Sequence, residues 1–133
     1  VVLVGWASLG SAESTFFLAR NGSASHVSGP APRFTLIDQN AARYTLGEHV
    51  GHYTLLTFLD PKCWTDCPLL ADQMKTVRAA FSPGAPIDMV AAAADRYHQA
   101  LVDVNHFIRV RGLSSMKDFY FVTDPHVTTM EKV

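Results

Sequence analysis

The chain of 133 residues holds two thiols, Cys63 and Cys67, with Trp64, Thr65 and Asp66 between them. They fall where an apolar, β-branched run (YTLLTFL) hands over to a helical pattern, so the second cysteine stands at a helix start. A helix N-terminus carries partial positive charge and unpaired N–H groups, which favour a thiolate. Lys62 pushes in the same direction and Asp66 opposes it, while Pro68 suits the first helical turn. Residues offset by four on a helical turn have α-carbons roughly 6 Å apart, within reach of a disulfide. The same arrangement offers two soft sulfur donors to one ion, a donor type that favours Cu(I).

A lone cysteine is most often a small buried hydrophobe. Two at one strand-to-helix turn, in a chain with no other cysteine, point instead to redox or metal chemistry. Two are too few for a disulfide scaffold, and too few for a four-ligand structural zinc site without matching histidines. Thioredoxin-type exchange enzymes usually separate their cysteines by two residues, and three stand here. The wider loop suits chelation and still allows a disulfide. The Pro-x-x-x-Thr-x-x-Cys pattern of peroxiredoxins fails, because Asp60 and Trp64 hold the Pro and Thr positions counted back from Cys67.

The remaining candidate donors are six histidines. His26 lies in a Ser/Gly tract, His49 and His52 precede the YTLLTFL strand, His98 and His106 fall on a later helix, and His126 on the last one. Singly placed histidines of this kind read as solvated or internally satisfied side chains. Trp64 reads either as a shield or docking surface for the cysteines, or as packing over the turn. The four methionines show no clustering and read as core.

Short β-like runs at 34–38 and 43–46 flank Gln39-Asn40-Ala41-Ala42 and predict a hairpin. Leu70, Met74, Val77 and Phe81 recur at helical spacing, and Ser82-Pro83-Gly84 stops that helix. IDMVAAAA (87–94) predicts a second buried strand. Asp95 then predicts the cap of a helix whose Tyr97, Leu101, Val104 and Ile108 share one face, ending before Gly112. FYFVT (119–123) predicts a third strand, and Asp124-Pro125 a last helix. Hairpin, strand, helix, strand, helix, strand, helix is the order of an α/β domain with helices on a mostly parallel sheet.

Residues 1–30 read differently, with two apolar strand candidates (VVLVGW and STFFLA) and the tract NGSASHVSGPAP, which has a linker's composition. They are taken as an N-terminal extension or linker, or the end of a preceding segment, and 31–133 as the domain. Eleven Lys+Arg against twelve Asp+Glu leave a formal charge of -1, which argues against a nucleic-acid binder. With 48% hydrophobic residues the chain is no disordered segment, and no apolar run nears the roughly 20 residues of a membrane-spanning helix.

The stretch PAPRFTLIDQNAARYTLGEHVGHYTLLTFLDPKCWTDCPLLADQM resembles the Sco/SenC family of thioredoxin-like copper proteins. The F-T-L-x-D-Q hairpin, the buried strand and the C-x-x-x-C-P turn opening a helix carry the likeness. ADRYHQALVDVNHFIRVRGL and DFYFVTDPHVTTMEKV look like the same family's next elements, in its bacterial branches especially, so the resemblance spans about residues 30–133. It implies a thioredoxin-like α/β fold and an extracytoplasmic domain, membrane-attached through a segment outside this chain. The implied role is that of a copper metallochaperone, an assembly factor for the binuclear copper site of cytochrome c oxidase. Its partner would be the oxidase's copper-site subunit, with a thiol–disulfide reductase as a further one.

In that family's pattern Cys63 and Cys67 are two copper ligands, for Cu(I) or Cu(II). The third is a His just before the strand that follows the helix starting here at Pro125. Were Phe119–Thr123 taken as that strand, Met116 would stand in the His position, so FYFVTDP aligns one element earlier. The His, the last hairpin and the closing helix are therefore expected beyond residue 133. Two other readings stay open: a thiol–disulfide oxidoreductase acting catalytically through Cys63 and Cys67, and a non-catalytic accessory module of a respiratory complex.

Overall fold

The computed structural model describes residues 31–124 in full and, before them, three backbone strands, β1 (Val2–Gly5), β2 (Thr15–Arg20) and β3 (Ser23–Val27). The hairpin β4 (Thr35–Ile37) and β5 (Arg43–Thr45) follows, then β6 (Tyr53–Leu59), α1 (Asp66–Ala79), β7 (Ile87–Ala93), α2 (Leu101–Val110) and β8 (Phe119–Val122). The last helix expected at Pro125 lies outside the described residues.

One sheet runs in the order β3-β2-β1-β6-β7-β8. β6, β7 and β8 are mutually parallel, as the β/α alternation predicts, with Thr54 opposite Asp88 and Met89 opposite Phe119. β1 lies antiparallel on the other side of β6, with Val2 opposite Leu56. Ser23–Val27, which reads as linker by composition, pairs antiparallel with β2.

The two faces of the parallel strands are covered by different partners. Leu55, Leu59, Met89, Ala91, Ala93, Phe119 and Phe121 face the helices, meeting Ala71 and Met74 of α1 and Val104, Phe107 and Ile108 of α2. Both crossovers thus pass on one side, as a single handedness requires. Leu56, Val90, Ala92 and Val122 face the other way, onto Phe34, Leu36, Tyr44 and Leu46 of the hairpin.

Side-chain amides and backbone bridges hold that hairpin in place. Asp38 Oδ1 accepts the N–H groups of Asn40 and Ala42, closing the turn. Gln39 then reaches β8, where its Nε2 donates to Phe119 O at 3.0 Å and its Oε1 accepts from Phe121 N at 2.9 Å. Ile37 and Thr123 exchange both backbone hydrogen bonds beside it.

Both helices differ from the sequence pattern. The buried stripe of α1 is Cys67, Ala71, Met74 and Arg78. Leu70 and Val77 flank it half-buried, and Phe81 lies past the helix end, exposed. Arg78 turns inward because its guanidinium donates to Ser82 O and Pro83 O and so closes the turn after the helix. α2 begins at Leu101 rather than near Asp95. Asp95 Oδ1 instead accepts from Tyr97 N, and the buried Gln99 donates to the carbonyls of Ala93 and Asp95 while accepting from Thr123 and Asp124. Those bonds hold 95–100 as a non-helical turn and leave Tyr97 in solvent.

The helix ends as expected: Gly112, at φ +66°, lets Leu113 N bond Ile108 O and Gly112 N bond Arg109 O. Leu59 closes β6 with no exposed surface and touches the helix layer. Leu59→Ala is expected to lower stability by about 2–5 kcal/mol, the usual range for a buried leucine truncated to alanine, as read by urea unfolding.

Candidate functional site

β6 delivers the chain to the cysteines at the carboxyl end of the parallel strands. The turn Asp60-Pro61-Lys62-Cys63 is closed by Cys63 N donating to Asp60 O at 3.1 Å and by Lys62 N donating to Asp60 Oδ1 at 2.9 Å. Asp60 N donates to Cys67 Sγ at 3.3 Å, tying the strand end to the first turn of α1. Thr65, at the helix cap, makes no side-chain capping bond; its hydroxyl stands 3.6 Å from Cys63 Sγ. Both thiols are free, Cys63 partly exposed and Cys67 buried.

The two thiols are driven apart in acidity. Cys63 is lowered from 9.0 to about 6, first by hydrogen bonding from the Cys67 side chain and backbone, then by Thr65. Cys67 is raised from 9.0 to about 11, chiefly by burial, with the Asp60 N–H acting the other way and the neighbouring Cys63 adding to the rise. Near neutral pH the pair is one outward thiolate held by one inward thiol. Lys62 plays a different part from the one its sequence position suggests, because its ammonium is paired with Asp103 of α2 at 3.2 Å. The donors that matter stand at the start of α1.

Pro61, Cys63 and Trp64 line a shallow recess with His106, Phe107 and Val110 of α2 and Arg111 just past its end. Trp64 is 79% exposed, so it does not pack over the turn, and it offers a flat apolar surface beside Cys63. His98 approaches the site only through Asp60, to whose Oδ1 its Nδ1 is bonded at 2.8 Å. Among the described residues, no cluster of three ligand-type side chains includes either sulfur. Two clusters exclude the sulfurs: Asp60, Asp95 and His98 beside the cysteine turn, and, toward the opposite end of the strands, His49, His52 and Asp88. The second was missed by taking the histidines singly. Its signal in the sequence is His-x-x-His before one strand and an aspartate inside the next, an otherwise apolar buried strand.

No protein-family model and no curated protein matches the sequence. Solved structures do match the fold. A SCO1/SenC family lipoprotein from Bacillus anthracis str. Ames superposes with a TM-score of 0.62 at 17% identity, over 76% of this chain and 58% of that one. ScoI of Bradyrhizobium japonicum, solved with copper bound, gives 0.65 at 19% identity, over 77% and 62%. A thiol-disulfide oxidoreductase from Bacteroides fragilis NCTC 9343 gives 0.55 at 18% identity, over 69% and 63%. The chain therefore has the thioredoxin-like fold of Sco/SenC proteins, and it spans about three fifths of the length of these structures. None of the described helices is long and apolar enough to cross a membrane.

Alkylation by iodoacetamide, followed by mass spectrometry across pH, is expected to label Cys63 with a midpoint near 6 and to spare Cys67 until near pH 11. Cys67→Ala removes the first donor to Cys63, so the Cys63 midpoint should move up toward 9.0.

Proposed function

We propose that this domain is a copper-binding assembly factor that holds Cu(I) between the thiolates of Cys63 and Cys67. The observation that carries the reading is the pair itself: two free sulfurs at the strand-to-helix turn of a Sco-like fold, one already ionised near neutral pH. The donor set fits the ion. Thiolates are the soft ligands that Cu(I) selects, and uptake would release the proton that burial keeps on Cys67.

Cys63 meets the incoming ion first because it is exposed and anionic, and Cys67 closes the chelate from within the first turn of α1. The third ligand is proposed to be a histidine from outside the described residues. Copper transfer to the binuclear copper site of an oxidase subunit suits a cysteine edged by exposed Trp64, which gives a partner an apolar place to rest beside the metal. An extracytoplasmic, membrane-anchored setting agrees with the lipoprotein among its structural neighbours.

Titrating the reduced chain with Cu(I) against a colorimetric chelator should show one equivalent bound through sulfur. Cys63→Ser and Cys67→Ser should each lose at least tenfold in affinity, and binding unchanged in both would overturn the reading.

The acidity split also favours a second reading, thiol–disulfide exchange with Cys63 attacking and Cys67 resolving. In that case metal-free protein reduces a partner disulfide, and Cys67→Ser accumulates a mixed disulfide at Cys63. A metal-free protein that leaves disulfides intact rejects it.

A further inference from the structure

Asp88 is the one acid inside β7, and its side chain is 2% exposed. A carboxylate so placed requires donors for both oxygens, because burying an unpaired charge is prohibitive. His49 Nδ1 lies 2.7 Å from Oδ2 and His52 Nδ1 lies 2.9 Å from Oδ1. Both imidazoles are about one-third exposed and each turns its Nδ1 onto the carboxylate, which forms the buried floor of the cluster. Tyr44 and Tyr120 wall it on the hairpin face: the Tyr44 ring meets His49 edge-on at 6.1 Å, and Tyr120 lies 5.7 Å from the same imidazole.

We infer that His49, His52 and Asp88 form a second metal site, specific for a borderline divalent cation of the zinc class and independent of the cysteines. Two imidazoles and one carboxylate, with a fourth position left for water, are a familiar open zinc set, and they contain none of the soft sulfur that selects Cu(I). The ligand atoms lie within 4.8 Å of one another. Tetrahedral bonds of about 2.0–2.1 Å need them about 3.4 Å apart. The Nδ1–carboxylate contacts, at 2.7 and 2.9 Å, are shorter than that, so rotation of the two part-exposed rings on the loop before β6 opens them to admit the cation while Asp88 stays fixed in the sheet.

A second observation points the same way. Tyr44 Oη is buried and makes no hydrogen bond of ordinary length, yet it stands close enough to Asp88 for both its charge and its hydrogen bonding to act on the phenol. With both imidazole Nδ1 lone pairs turned onto a cation, the Asp88 oxygens lose their donors. The Tyr44 hydroxyl, already near the carboxylate, is the neighbouring donor that can then serve it or a metal-bound water. Coordination through Nδ1 requires each imidazole to carry its hydrogen on Nε2 instead. The cysteines lie past the other end of β6, about 17 Å from Thr54 to Leu59 at about 3.3 Å per residue, so the two sites do not share ligands.

The test uses the full chain carrying Cys63→Ala and Cys67→Ala, which separates this site from the copper reading. Cobalt(II) titration should give one equivalent with visible d–d bands and no sulfur charge transfer. Adding His49→Ala and His52→Ala should abolish the bands, whereas adding His98→Ala should leave them. No bands, or bands lost only with His98, would overturn the assignment. Should the histidine variant fail to fold, diethylpyrocarbonate labelling of the chain with all histidines in place decides. Zinc must protect His49 and His52 at least tenfold, and equal labelling with and without zinc rejects the site.

Discussion

β7 is enclosed along its whole length, with no residue more than 4% exposed, and the rest of the domain is arranged around that enclosure. A parallel strand covered on both faces must be apolar nearly throughout and narrow enough for layers to approach from either side. Ala91 and Ala93 meet this on the helix face and Ala92 on the hairpin face. The hairpin β4–β5 is therefore structurally required: without it the even-numbered residues of three strands would face water. Enclosure also fixes what happens at the two ends. At one end an acid inside the strand has to be matched by histidines from the loop before its neighbour β6. At the other the chain leaves the sheet for a helix start, where unpaired N–H groups meet a sulfur.

The two cysteines differ for the same reason. Cys67 belongs to the buried stripe of α1, so its ionisation is opposed by the layer that packs the helix onto the sheet. Cys63, one turn earlier, sits part-exposed at the margin of that layer, where its donors outweigh a smaller desolvation. Four positions along the chain thus separate a surface thiolate from a core thiol. The pair is suited to chemistry in which the outer sulfur engages first and the inner one second, whether the incoming electrophile is a soft cation or a disulfide.

Much of this was legible in the residues. The β/α alternation gave the parallel strands, the hairpin signal around Gln39 gave the covering layer, and the cysteine spacing gave the site. What stayed hidden depends on partners distant in sequence. Asp88 is 39 residues from His49 and 36 from His52, and the parallel register of β6 with β7 brings them together. Lys62 looked like a partner for the thiolate until α2 placed Asp103 within reach. The start of α2 was misjudged because Asp95 has a helix cap's chemistry, while Gln99, five hydrogen bonds deep in the interior, holds the backbone out of the helix. An isolated cap signal yields to a buried amide that needs its partners.

Gln39 carries a consequence beyond its own hairpin. Among the described strands β8 is the outermost on its side of the sheet, and Phe119 O and Phe121 N are backbone groups on the edge away from β7. Such an edge is an open template on which another chain can add a strand. A primary amide presents one donor and one acceptor in the spacing of a peptide group, so this side chain counterfeits a neighbouring strand at the position where a stranger would begin. With the Ile37–Thr123 bridge next to it, the hairpin turn ends the hydrogen-bonded ladder on that flank. On the β8 flank a single glutamine and one hairpin turn thereby occupy the positions that an added strand would need.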